Sequence, residues 1–211
     1  KRESTVCIAF LGDGATSEPD FHFAMNFAAV YKAPVVIICQ NNHWSISVPT
    51  SKQTASQTIA VKAAAYGMPG LRVDGNDVII CQQTFQRAIE RARAGEGPTF
   101  IEAVTYRIGP HSSSDDPTRY RSESEVEDWR KKDPLLRVER LMRAQGVLND
   151  DSLAQLKAEL AKEIETALTE IESLPAPARQ TLFEDVFASQ PWHLREQAAE
   201  CEKTWQTRPT T

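Results

Sequence analysis

Val6-Cys7-Ile8-Ala9-Phe10-Leu11, running into Gly12-Asp13-Gly14-Ala15-Thr16-Ser17-Glu18, is the stretch on which the reading of the fold turns. Six apolar residues without polar alternation are too few for a buried helix and suit a strand of a parallel sheet. Glycines flanking an aspartate end that strand, and a helical pattern over residues 21–31 follows.

Outward from this point the alternation repeats: strands over 35–39, 71–73 and 100–105, with helices over 59–66 and 77–94 between them. Pro34, just before a strand, and Gly95 with Gly97, just after a helix, punctuate these units where such residues belong. The expectation is an α/β fold, a doubly wound parallel sheet with crossover helices. Residues 109–121 break the pattern into a polar, proline-interrupted loop, and long loops of this kind are usually functional. Beyond it the chain turns helical over 123–129, 134–145 and 151–174. Leu174-Pro-Ala-Pro-Ala-Arg179 reads as a linker, and 191–203 as a last helix. Two regions are therefore expected: an α/β core over 1–122, and a helical C-terminal region over 123–211 that packs on partner subunits. Lys1 leads almost at once into the first strand, with no initiating Met and no preceding helix to cover it. The core is thus expected to be incomplete at its N-terminus.

With 211 residues, 41% hydrophobic and 25% charged, the chain has ordinary globular composition and enough length for one substantial core. A net charge of -5 with scattered arginines offers no basic stripe for a nucleic-acid backbone. No apolar run approaches the roughly 20 residues that span a bilayer, so neither nucleic acid nor membrane is an expected partner. The cysteines Cys7, Cys39, Cys81 and Cys201 form no CxxC pair, which argues against zinc or a redox motif. Cys7 and Cys39, inside strand-like runs, suit small reduced core side chains.

The chemistry sits at two consecutive strand ends. The first presents Gly12-Asp13-Gly14, the second Cys39-Gln40-Asn41-Asn42. In an open parallel sheet ligands bind beyond the carboxyl ends of strands, so Asp13 and Asn42 can reach one point in space. A carboxylate and an amide oxygen suit magnesium, which takes oxygen ligands octahedrally and draws the remainder from phosphates and water. Gly12 and Gly14 admit close backbone approach, the amides of Gly14 and Ala15 can donate to a diphosphate, and a helix opening near Pro19 adds its dipole. Alone, Gly-Asp-Gly is a common tight turn. The pairing with Asn-Asn one crossover later is what carries the signal.

That pairing resembles the thiamine-diphosphate enzymes. By the resemblance, Asp13 and Asn42 bind magnesium, with the backbone carbonyl of Trp44 as third protein ligand, and Gly12, Gly14, Ala15 and Ile46 line the cofactor. Trp44 stands where relatives often have tyrosine, and Gln40 where some carry an arginine that contacts the diphosphate. Further stretches, Asn26-Phe-Ala-Ala29, Arg72-Val-Asp-Gly-Asn-Asp77, Thr105-Tyr-Arg-Ile-Gly109 and His111-Ser-Ser-Ser-Asp-Asp116 with Tyr120-Arg121, are similar to alpha subunits of branched-chain 2-oxo-acid dehydrogenases. Pyruvate-type subunits usually have a methionine and one aspartate in the His-Ser loop, whereas this chain has Ser113 and Asp115-Asp116.

The resemblance implies oxidative decarboxylation of a branched-chain 2-oxo acid and transfer of the acyl group to the lipoyl group of an acyltransferase component. Activity would need a beta subunit in an alpha2-beta2 heterotetramer. His111 would face the cofactor as a proton-handling group, Arg107 would lie near the diphosphate, and Ser112 matches the serine phosphorylated in mitochondrial relatives. The compartment implied is the cytoplasm of a bacterium or the mitochondrial matrix of a eukaryote. Rival readings are a pyruvate or acetoin alpha subunit and a non-catalytic assembly module. A dinucleotide-binding fold ranks last, for want of GxGxxG after the first strand.

Overall fold

The computed structural model describes residues 4–206; residues 1–3, which open the first predicted region, and 207–211, which close the second, lie outside the described residues. Within the first compact unit, residues 1–148, strand β1 (Cys7–Gly12) passes through a tight 3-10 turn at Gly14–Ser17 into helix α1 (Pro19–Val30). Pro19 opens α1 where its missing N–H would have no partner anyway. Strand β2 (Val35–Asn41) follows, then a small antiparallel pair, β3 (Trp44–Ser45) and β4 (Val48–Pro49), and one turn of helix, α2 (Thr50–Gln53). A 3-10 run at Ala60–Tyr66 leads to β5 (Gly70–Asp74), α3 (Val78–Arg93) and β6 (Thr99–Val104). Helices α4 (Glu123–Arg130) and α5 (Pro134–Ala144) complete the unit.

The four long strands form one parallel sheet in the order β1-β2-β6-β5. Alternation along β2 decides which helix covers which face. Ile37 and Cys39 pack with Phe21 and Met25 of α1, with Ile59 and Ala63, and with Phe100. Val36 and Ile38 face the other way, against Ala88 of α3 and Ile101. Fully buried side chains such as Met25 and Phe100 each stabilise this core by about 1.5–3 kcal/mol. The sheet is thus covered on both sides, as the doubly wound expectation requires.

Two local expectations change. The run read as an α-helix over 59–66 is a 3-10 coil. It is held at its start by the Ala60 amide on the buried Glu102 carboxylate at 2.9 Å, and Ala63 lies against Gly70, where a Cβ would come within 2.9 Å. β1 is the edge strand of the sheet, and Ile8 is 48% and Phe10 64% exposed. Cys7 is for the same reason exposed rather than a core side chain, while Cys39 is buried and burial pushes its thiol up to about 12. All four cysteines are free.

The second compact unit, residues 149–211, holds α6 (Asp150–Ser173), α7 (Thr181–Glu184) and α8 (Trp192–Gln206). Asn149 and Ser152 form a reciprocal capping box that fixes where α6 starts. The guanidinium of Arg179 lies 4.7 Å from the Trp205 ring centroid and ties the α7 region to α8. The sequence reading divided the chain at 122/123 on a change of element type; the compact units part at 148/149, so α4 and α5 belong with the sheet. Among the described residues no helix is long and apolar enough to cross a membrane.

Candidate cofactor and metal site

Parallel pairing brings Gly12 level with Gln40, so the turns after β1 and β2 leave the sheet at the same edge. Asp13 starts the 3-10 turn and is only 2% exposed. Its Oδ2 accepts from the Gln53 amide nitrogen at 2.9 Å and lies 3.2 Å from the Thr50 hydroxyl. Both donors are neutral, and among the described residues no cation pairs with this carboxylate. Buried charges are ordinarily paired or coordinate a metal. The turn's first internal bond runs from the Thr16 amide to the Asp13 carbonyl at 3.1 Å, so the amides of Gly14 and Ala15 stand ahead of it, where such a turn has no internal partner to give. A Cβ on Gly14 would lie 2.2 Å from the Ser45 hydroxyl oxygen, so only glycine lets this turn sit against β3. At Gly12 a Cβ would meet nothing within 4 Å.

The second turn is built by asparagine side chains bonding back to the chain. Asn41 is buried; its amide nitrogen donates to Glu102 at 2.8 Å and its Oδ1 accepts from the His43 amide at 3.2 Å. Asn42 Oδ1 accepts from the Trp44 amide at 3.1 Å. His43 (φ 70°) and Ile46 (φ 54°) adopt left-handed backbone. For a β-branched residue such as Ile46 that conformation is a genuine outlier, costing of order 1–3 kcal/mol, and strain of this kind gathers at functional sites.

Arg107, just past the end of β6, clamps this turn: Nη1 donates to the Trp44 carbonyl at 2.9 Å and Nη2 to the Ile46 carbonyl at 2.5 Å. Nη2 also reaches the Tyr120 hydroxyl at 3.1 Å, and that hydroxyl donates to Asp115 Oδ2 at 2.6 Å. The same Asp115 oxygen accepts from the His111 amide at 2.8 Å, and these bonds, that of the His111 amide first, hold the Asp115 carboxyl below its usual range. Arg121 donates to the carbonyls of Arg107, Ile108 and Gly109. The polar loop is thus ordered by a chain of charge-assisted bonds, with His111 and Ser112 exposed on it.

The structure therefore joins Trp44, Ile46 and Arg107 directly, and His111 to them through Asp115 and Tyr120. Asp13 and Asn42 share no direct bond; Thr50, 3.1 Å from Asn41 Oδ1, links their two turns. The donor set fits a hard cation. Asp13 Oδ1 has no partner among the described residues, and the amide oxygen of Asn42 and the carbonyl of Trp44 each keep a second lone pair. Sequence reading missed Thr50, Gln53 and Glu102. No spacing marks them, since α2 is a single turn and Glu102 stands inside an otherwise apolar strand.

Residues 1–180 match the family described as Dehydrogenase E1 component, and the chain belongs to it. It is 54% identical over 166 residues to the 3-methyl-2-oxobutanoate dehydrogenase subunit alpha of Mycobacterium tuberculosis (strain ATCC 25618 / H37Rv), covering 79% of this chain and 45% of that protein. It is 43% identical over 196 residues to the pyruvate dehydrogenase E1 component subunit alpha of Staphylococcus aureus (strain COL), covering 92% of this chain and 53% of that protein. The chain thus spans about half the length of the curated relatives it matches.

Proposed function

We propose that this chain carries the metal-and-diphosphate half of an E1 component that oxidatively decarboxylates branched-chain 2-oxo acids and passes the acyl group to a lipoyl group on an acyltransferase component. The observation that carries the reading is the buried Asp13 carboxylate, bonded only to neutral donors, at a strand end beside the Asn41-Asn42 turn. Magnesium would be held by Asp13, Asn42 and the Trp44 carbonyl. The Gly14 and Ala15 amides and Arg107 would meet the diphosphate, and Gly12 and Ile46 would line the same cleft.

Thiamine diphosphate, when bound, supplies the electron sink that loss of carbon dioxide from a 2-oxo acid requires. The protein's part is to place and to neutralise. Arg107 holds the turn from 44 to 46 in its left-handed shape and presents positive charge. His111, on a loop fixed through Asp115 and Tyr120, holds or moves a proton at its imidazole. A beta subunit completes an alpha2-beta2 heterotetramer in this reading, and the compartment is the bacterial cytoplasm or the mitochondrial matrix. Ser113 with the doubled Asp115-Asp116, and the higher identity to the mycobacterial relative, support branched-chain over pyruvate specificity. Turnover of 3-methyl-2-oxobutanoate against pyruvate, measured with the matching beta subunit, separates the two.

Asp13→Ala tests the core of the reading. In the assembled protein it should weaken magnesium-dependent binding of thiamine diphosphate at least several-fold in calorimetric titration, with the fold intact by circular dichroism. Unchanged affinity in a folded variant would sink the assignment.

A further inference from the structure

The two oxygens of Asp13 are treated differently by the protein. Oδ2 accepts from Gln53 Nε2 at 2.9 Å and lies 3.2 Å from the Thr50 hydroxyl, whereas Oδ1 has no partner among the described residues. Gln53 is itself fixed: Nε2 also donates to the Val48 carbonyl at 3.2 Å. With both amide hydrogens on acceptors, a flipped amide would set its oxygen against a carboxylate and a carbonyl, so the orientation is determined. Thr50 is fixed as well, its amide donating to the His43 carbonyl at 3.0 Å. Its hydroxyl, with one proton, lies between Asp13 Oδ2 and Asn41 Oδ1 at 3.2 and 3.1 Å. Asn41 is held in turn by the fully buried Glu102.

From this asymmetry we infer that Gln53 and Thr50 are positioning residues that occupy Oδ2, so that Asp13 meets a divalent cation through Oδ1 alone. The inference rests on Asp13 being a metal ligand, as proposed above. Its consequence is selectivity. Magnesium requires a small octahedral set in which a carboxylate gives one oxygen, whereas calcium accommodates six to eight oxygens and profits from carboxylates that give two. A carboxylate with one oxygen already engaged favours the smaller ion.

The test uses the full-length subunit assembled with its beta subunit, and reads equilibrium binding of thiamine diphosphate by calorimetry at graded free Mg2+ or Ca2+. Gln53→Met keeps the volume and removes the donor; Thr50→Val does the same for the hydroxyl, and thermal unfolding checks each fold. In Gln53→Met the Mg2+ concentration for half-saturation should rise by roughly ten-fold, the scale on which groups behind a metal ligand act, and that for Ca2+ by much less, so the preference for Mg2+ narrows. Equal shifts for both ions, or none in either variant, would overturn the inference. Asp13→Asn separates the two levels of the argument: if it keeps wild-type metal dependence, the ligand assignment itself fails. If it loses metal dependence while both other variants behave as wild type, only the positioning role fails.

Discussion

Ser112 sits in the ordered loop between His111, whose amide donates to Asp115, and Asp115, whose own amide donates to the Ser112 carbonyl at 3.2 Å. A phosphate on that exposed hydroxyl would add about -1.5 to -2 charges beside the Asp115 carboxylate and compete for the nearby Arg107. The proposed control point is therefore electrostatic, and Ser112→Glu should melt the loop where Ser112→Ala does not. Limited proteolysis near Arg119 and Arg121, with lipoyl acylation in the assembled enzyme, reads it; a glutamate variant that stays protease-resistant and fully active would refute the mechanism. His43 gives a second prediction. Burial lowers its pKa below the ordinary 6.5, against opposing effects of Glu125, Asp13 and Glu102, with Arg72 lowering it further. The unfolded chain then takes up a proton before the folded one does, so His43 costs stability as pH falls through about 6.5 toward the folded value. The stability of wild type minus that of His43→Gln should shrink between pH 7.5 and 5.5 in urea titrations. A difference constant with pH would remove His43 as the cause.

Among elements, the turn from β5 into α3 explains the Arg72-Val-Asp-Gly-Asn-Asp77 stretch as architecture. A Cβ on Gly75 would lie 2.9 Å from the Val104 carbonyl, whose oxygen accepts the Gly75 amide at 2.7 Å, so the turn hugs β6. Buried Asn76 accepts from Thr105 at 2.6 Å and donates to the Lys132 carbonyl at 3.0 Å, tying the sheet to the segment before α5. Asp77 caps α3, its Oδ1 accepting from the amides of Ile79 and Ile80 at 3.1 Å. Its other oxygen pairs with Arg137 of α5 at 2.8 Å, while Asp74 takes the second arm of that guanidinium at 2.6 Å. Asp77→Ala should cost about 1–2 kcal/mol, chiefly the lost cap, since a partly exposed ion pair adds little. Asp77→Asn keeps the cap and should cost clearly less. A lower urea midpoint at unchanged slope is the expected signature, and equal losses in both variants would contradict the cap as the main term.

At the scale of the whole molecule, the first unit leaves the β1 edge of its sheet and the outer surface of α1 bare. On β1, Ile8 and Phe10 are exposed, and on α1 so are Phe23, Phe27, Val30 and Tyr31, between 48% and 74% for the six. Ile8 and Phe10 share the sheet face of Val36 and Ile38, opposite the face that α1 covers, so exposed apolar surface lies on both sides of a strand edge that is unpaired among the described residues, and such surface drives association. Residues 4–206 expressed by themselves should therefore self-associate, bind a hydrophobic dye and show no decarboxylase activity. Light scattering after size exclusion and a decarboxylation assay check this. A monodisperse monomer that turns over substrate would overturn the two-subunit proposal.

The sequence by itself determined the parallel sheet with helices on both faces, because apolar runs, helical periods and the glycines and prolines between them are local signals. It also marked the Gly-Asp-Gly and Asn-Asn turns, where strand ends in such a sheet must converge. What only the tertiary structure decided is which groups stand behind them. Glu102, inside an apolar strand, and Thr50 and Gln53, on a helix of one turn, reach the site over long stretches of chain, with Gln53 40 positions from Asp13 and Glu102 42 from Ala60, and the bond by which Arg107 clamps the Trp44 turn spans 63 positions. Hydrogen bonds of that span leave no period in the sequence. They exist only once strand register sets the turns side by side, and so does the choice of which Asp13 oxygen stays open.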